Sequence, residues 1–165
     1  MHGWVPAVSI RYVVDASVAG AANRRRAGEA ATAKCCRAYM LTIMNACHRI
    51  AVTDEVKREW EHRGSNWSKD WYLQMVRKSK VRWVVPSDCT EIEEAVEASD
   101  FAAAEKYAVR KDMRLVAAAL SCDRRIVSLD QRSIDLFGVL SESVYELEVL
   151  EWTNPLDGTL PPHRH

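Results

Sequence analysis

Four acidic side chains fall where one stretch of sequence pattern gives way to the next, and these are the residues best placed to do chemistry. In KDMRLVAAALSCDRRIVSLD, residues 111–130, Leu115, Val116, Ala119 and Leu120 recur at helical spacing, with Asp112 expected at that helix's N-terminus. Cys122-Asp123 ends the helix, and residues 125–129 read as a buried strand with Asp130 at its carboxyl tip. Near the start, the β-rich run at 10–14 ends in Asp15. After a short second strand at 50–53, a helix opens at Asp54 and carries Glu55 and Glu59 one turn apart on a shared face. Glu55 lies in the first turn, where the helix dipole favours an acid and gives it a plain structural reason. Glu59 has no such reason and sits beside Trp60, so it is the glutamate expected to be held inward. Asp15 has a plain alternative as an N-cap, a role Asp favours. The same strand-tip pattern at Asp130 argues for a site instead.

Carboxylates converging in one crevice repel each other, and without a partner some would be driven to protonate. A hard divalent cation relieves that repulsion, and Mg²⁺ and Mn²⁺ favour carboxylate and water oxygens. No His, Cys or Lys stands out as a nucleophile beside Asp15, Glu59, Asp112 and Asp130. Hydrolysis of a phosphodiester by metal-activated water is therefore the chemistry these residues suit.

The elements that must position them alternate between strand and helix, which argues for an α/β fold with a parallel sheet flanked by helices. In such sheets ligands bind outside the carboxyl ends of the strands, where these acids are expected. Residues 18–27 read as a loop, and a long helix at 29–49 carries Cys36, Met40 and Met44 as core filler. A helix at 66–80 presents Trp67, Trp71 and Met75 as a stripe, expected as packing surface, with base stacking the alternative. A third strand at 81–85 precedes an acidic helix opening at Thr90. A separate helix at 101–109, capped by Ser99-Asp100, is expected before the 111–130 unit. A short helix at 131–137 stops at Gly138, and 144–152 offers one more strand. The domain is expected to span 9–152, with 153–165 a flexible tail.

With 165 residues the chain suits one domain with a real core, and 48% hydrophobic against 28% charged residues is a globular composition. Lys+Arg and Asp+Glu are each 23, so no global basic field advertises nucleic acid. Basic residues cluster locally at Arg24-Arg25-Arg26, Arg77-Lys78-Ser79-Lys80, Arg110-Lys111 and Arg124-Arg125, each readable as solvated surface or as a phosphate grip. Five cysteines without CxxC spacing argue against a disulfide framework or zinc site and for a reducing cytoplasm. No signal peptide is expected, and no apolar run approaches the roughly 20 residues needed to cross a bilayer.

VVDASVAG at 13–20, VTDEVKREW at 52–60, and KDMRLVAAAL followed by RIVSLD together resemble the motifs of the PIN-domain family. The resemblance covers residues 9–137. It implies a PIN-like fold and a metal-dependent ribonuclease, of the kind found as the toxin half of bacterial toxin–antitoxin pairs. On that resemblance Asp15, Asp112 and Asp130 hold Mg²⁺ or Mn²⁺ and Glu59 orients or deprotonates the attacking water. Ser17 and Ser128 match the family's supporting Ser/Thr positions, and Glu55 stays open as an alternative acid. The implied partners are RNA, an antitoxin protein and a second copy in a homodimer. The tryptophan-rich 60–83 segment lies outside the family pattern and reads as a substrate clip or a protein-binding face. Two rivals remain: a non-catalytic RNA- or protein-binding module on the same fold, and an Asp-phosphoacceptor switch. The second lacks the expected acidic neighbour beside Asp15 and has Gln131 after Asp130.

Overall fold

The computed structural model describes residues 8–23 and 30–162. Arg24-Arg25-Arg26 lies outside the described residues. Five strands, β1 (Arg11–Val14), β2 (Arg49–Val52), β3 (Val81–Trp83), β4 (Arg125–Val127) and β5 (Glu151–Thr153), form one sheet in the order β3-β2-β1-β4-β5. Every neighbouring pair is parallel. This is the α/β class expected from the alternation, and it is consistent with a PIN-like fold. Tyr12, Val13 and Val14 are all buried because β1 is central and covered on both faces, where a parallel strand reads as a continuous apolar run. The chain leaves β1 toward β2 and β3 on one side and returns to β4 and β5 on the other. The strand order therefore reverses between β1 and β4, which makes their carboxyl ends the natural crevice.

Helices α1 (Ala16–Ala21), α2 (Ala31–Asn45), α3 (Asp54–Arg63) and α4 (Asn66–Arg77) come before β3. Helices α5 (Thr90–Ala98) and α6 (Ala103–Leu120) lead to β4, and α7 (Gln131–Leu140) and α8 (Tyr145–Glu148) lead to β5. Cys36, Met40 and Met44 of α2 are core filler, all buried. The tryptophan stripe is packing surface: Trp71 and Met75 are buried, and Trp71 stacks on Trp60 with ring centroids 5.9 Å apart. All five cysteines are free. Among the described residues no helix is long and apolar enough to cross a membrane.

Four local expectations are overturned. The loop expected from residue 18 begins as helix α1, whose Val18 and Ala19 are fully buried; burial outweighs the weak signal of small residues. The two helices expected at 101–109 and from Asp112 are one, because 103–120 contains neither Gly nor Pro and every residue tolerates a helix. Asp112 therefore sits within α6, not at an N-terminus. Helix α7 runs through Gly138 to a buried Leu140, whose packing outweighs the roughly 1 kcal/mol a helical glycine costs. The strand expected at 144–152 is α8 followed by the short β5.

From Thr153, where a flexible tail was expected, the described residues pack back on the domain. Pro155–Asp157 forms a 3₁₀ turn capped by Asn154, and Pro155 and Pro161 are buried. The Nε2 of fully buried His48 lies 2.7 Å from the Pro162 carbonyl, while its Nδ1 accepts from the Ile10 amide at 3.2 Å. His48 thus bridges the start of β1 to the last described residues through both ring nitrogens.

Helix α1 closes against α3 at one glycine. A Cβ at Gly20 would lie 2.6 Å from the Arg63 carbonyl oxygen, a distance real side chains do not occupy. Ser65 adds to the join by donating to the Ala19 and Ala22 carbonyls at 2.9 and 2.8 Å.

Candidate active site at the carboxyl ends of β1 and β4

Asp15 directly follows β1 and is held there by its backbone, the amide donating to the Val127 carbonyl of β4 at 2.8 Å. Although it occupies the N-cap position of α1, its side chain makes no capping hydrogen bond. Its Oδ2 instead accepts from Ser17 Oγ at 2.7 Å and from Ser128 Oγ at 2.9 Å. Each serine is itself tied to the β4–α7 junction: Ser17 Oγ accepts from the Leu129 amide at 3.2 Å, and Ser128 Oγ from the Asp130 amide at 3.1 Å. Two hydroxyls thus lock one buried carboxylate to the tips of both central strands, through hydrogen bonds that its charge strengthens.

Asp130 does cap. Its Oδ1 accepts from the Ser133 amide at 3.1 Å, fixing the start of α7.

Asp112 reaches the same place from α6, although the helix was expected to begin there. Its side chain is buried, and its Oδ2 has no hydrogen-bond partner. Ser133 Oγ, close by, is also buried without completing a hydrogen bond. Burial pushes the Asp112 carboxyl above its ordinary range. The neighbouring Ser133 hydroxyl opposes that, the charge of Asp15 adds to it, Lys111 opposes it, and Asp130 adds again. Asp112 therefore feels both other aspartates, so three acids share one electrostatic neighbourhood at the switch point.

Glu59 projects from α3 toward α6, where Arg114 Nη2 lies 3.4 Å from its Oε2 in a partly buried ion pair. Arg114 is two residues beyond Asp112, so one helix supplies both an acid and the partner of another. Next along α3, the buried Trp60 indole donates to the Val14 carbonyl at 2.8 Å, tying Glu59's helix to the tip of β1. Glu55 is exposed and lines a groove of about 390 Å³ with Arg110, Lys111 and Arg114, outside the serine-bonded network.

Hydrogen bonds thus join Asp15, Ser17, Ser128 and Asp130, and Asp112 joins them by burial and field; Glu59 is tied to α6 by Arg114, with no contact to the three aspartates among the described residues. Arg114 and Ser133 were not anticipated. A basic residue two positions after Asp112 and a serine three after Asp130 were the available signals, the second being ordinary N-cap spacing.

The basic clusters divide by location. Residues 77–80 precede β3 and 124–125 open β4, at the amino ends of the strands, away from the acids. Lys80 is spent on the Met44 and Ala46 carbonyls, and Arg125 on Glu151. Arg110 is held by Glu93 at 3.3 Å and Glu97 at 2.6 Å. Lys111, exposed on α6 beside Asp112, acts on the Asp112 carboxyl through its charge.

A hard cation can be tested against these residues. Among the described residues no three Asp, Glu, His or Cys side chains are drawn together into a group that could hold a metal ion. The donor set still fits one chemically. It is all oxygen, and the buried, unpartnered Asp112 Oδ2 is the kind of atom a cation satisfies. The chain matches no protein-family model and no curated protein.

Proposed function

We propose that the chain is a Mg²⁺- or Mn²⁺-dependent endoribonuclease of the PIN-domain type, acting in the cytoplasm as the toxin of a toxin–antitoxin pair. The observation that carries this reading is the buried, unpartnered carboxylate oxygen of Asp112, set in the field of Asp15 and Asp130 at the switch point of a parallel sheet. Two like charges beside an unsatisfied buried acid oppose folding, and a bound cation is what makes such an arrangement worth keeping.

Asp15, Asp112 and Asp130 would hold the ion. When bound, it would acidify a water and neutralise charge building on the phosphate oxygens. The chain's own residues supply the rest. Ser17 and Ser128 fix the rotamer of Asp15, so its free oxygen keeps one direction. The cap on the Ser133 amide does the same for Asp130. Arg114 orients Glu59, which accepts the proton of the attacking water. Lys111 draws the phosphate backbone toward the acids, a contact that positions RNA without reading its sequence.

The test is cleavage of a fluorescent single-stranded RNA by protein purified free of contaminating nuclease. Turnover should require Mg²⁺ or Mn²⁺, stop in EDTA and fall at least about 10³-fold in Asp15→Asn and Asp112→Asn. Undiminished cleavage in EDTA would sink the reading. A second reading, a non-catalytic binding module on the same fold, is favoured by the lack of a drawn-together acid group among the described residues. RNA binding without cleavage in Mn²⁺ would select it.

A further inference from the structure

Away from the acids, α5, α7 and α8 enclose a groove of about 870 Å³. Helix α5 shares its faces out cleanly. Ile92 and Val96 enter the core, Glu93 and Glu97 pair with Arg110, and Glu91, Glu94, Ala95 and Ala98 face the groove. The opposite wall brings Val139, 53% exposed, and Tyr145, 75% exposed. Four exposed acids, Glu91, Glu94, Asp100 and Glu146, rim this apolar floor, and among the described residues none has an ion-pair partner. Such a rim repels a nucleic acid and attracts a basic segment.

The matching surface is on the same chain. Helix α4 buries Ser68, Trp71 and Met75, and its outer face shows Leu73, 53% exposed, and Val76, 48% exposed. Lys69, Arg77 and Lys78 flank these two apolar residues, all exposed and, among the described residues, without an acidic partner. Lys69 to Arg77 spans about 12 Å of helix, and the part of α5 that lines the groove, Glu91 to Ala98, about 10 Å, so the two segments correspond in length. Ala95 and Ala98 leave room for Leu73 and Val76 to approach. We propose that α4 of one copy seats in the α5/α7/α8 groove of a second copy, its basic flanks on the acidic rim.

The contact is heterologous, each copy carrying one helix and one groove, so assembly grows head to tail unless its rotation closes a ring. One helix in one groove buries less than the roughly 1,200 Å² of a standard interface, so association is weak and salt-sensitive. It does not rest on the nuclease reading.

Sedimentation velocity of the full chain tests it. Wild type should gain mass with concentration into the hundreds of micromolar, and about 0.5 M NaCl should suppress the gain by screening. Glu91→Lys with Glu94→Lys, and Lys69→Glu with Arg77→Glu, should each stay monomeric with unchanged circular dichroism. Mixed in wild-type buffer, the two double variants repel their own kind but meet opposite charges at both cross-contacts, so the mixture should recover the mass gain as alternating copies. Combining all four substitutions in one chain restores opposite charges and should recover the mass gain. If either charge variant unfolds, Leu73→Ser, an exposed change, replaces it and should also abolish the gain. Wild type that remains monomeric throughout, or variants that assemble like wild type, would overturn the proposal. So would a peptide of residues 66–78 binding the groove of a chain that never self-associates, since the occupant would then be another protein's basic helix.

Discussion

The two ends of the sheet treat charge in opposite ways. At the amino end, charges are matched. Asp123 accepts from the Arg11 amide at 2.7 Å and is gripped by both Nε and Nη2 of the same guanidinium, Arg125 meets Glu151, and Lys80 closes over two carbonyls. At the carboxyl end, Asp15, Asp112 and Asp130 bring like charges together, answered by hydroxyls and amides, with one acid oxygen left bare. Matched pairs make a fold safer; unmatched acids make it responsive to a ligand. Matched and unmatched charges are thus separated along the strand direction.

The largest break in that comparison should come from Glu59. Glu59→Gln should slow RNA cleavage by about 10²–10⁴-fold, the usual worth of a positioned general base, while Glu55→Gln should change it little. Steady-state rates of both variants decide it; a dead Glu55→Gln beside an active Glu59→Gln would reverse the assignment.

At the other end the effect should be on stability alone. Burial by itself would raise the Asp123 carboxyl, but the hydrogen bonds and charge of Arg11 bring it below the ordinary range. A depressed folded pKa means stability that is present above the unfolded value near 3.9 and lost as pH falls through the folded one. Asp123→Ala should cost about 1–2 kcal/mol at pH 7, discounted for a pair that is a third exposed, and leave cleavage unchanged. Urea melts at pH 7 and below pH 3 check it, since the difference should shrink in acid.

The smallest effect carries the opposite sign. Asp112 has its folded pKa raised, so the unfolded chain ionises first and stability falls as pH rises from the unfolded value through the folded one. Metal-free Asp112→Asn should therefore melt no lower than wild type at pH 7, with the advantage fading below about pH 4. Mn²⁺ should raise the wild-type melting temperature by mass action and raise the variant's less. A variant that melts lower without metal and keeps the full Mn²⁺ shift would mean Asp112 is structural.

Much of this site was legible because strand tips announce themselves. Asp15 and Asp130 follow short β-branched runs, and an α/β alternation sends those tips to one edge. For Asp112 the pattern misleads about position: Asp is a good cap, which suggests a helix start, whereas α6 carries it inward from its middle. The Arg114–Glu59 pair was not legible, since which faces of two helices meet depends on packing between segments far apart in sequence. Nor was the docked 153–162 segment, whose prolines and polar residues resemble a loose end until buried His48 and Pro155 are seen holding it.

Gly20 touches no acid, yet it decides how near α1, which carries Ser17, stands to α3, which carries Glu59. In a saturation scan scored for activity, position 20 would look like a member of the site, rejecting even alanine because the obstacle is a backbone oxygen that cannot rotate away. Such a scan would mark a column of intolerance with no chemistry of its own: a spacer whose function is to be absent.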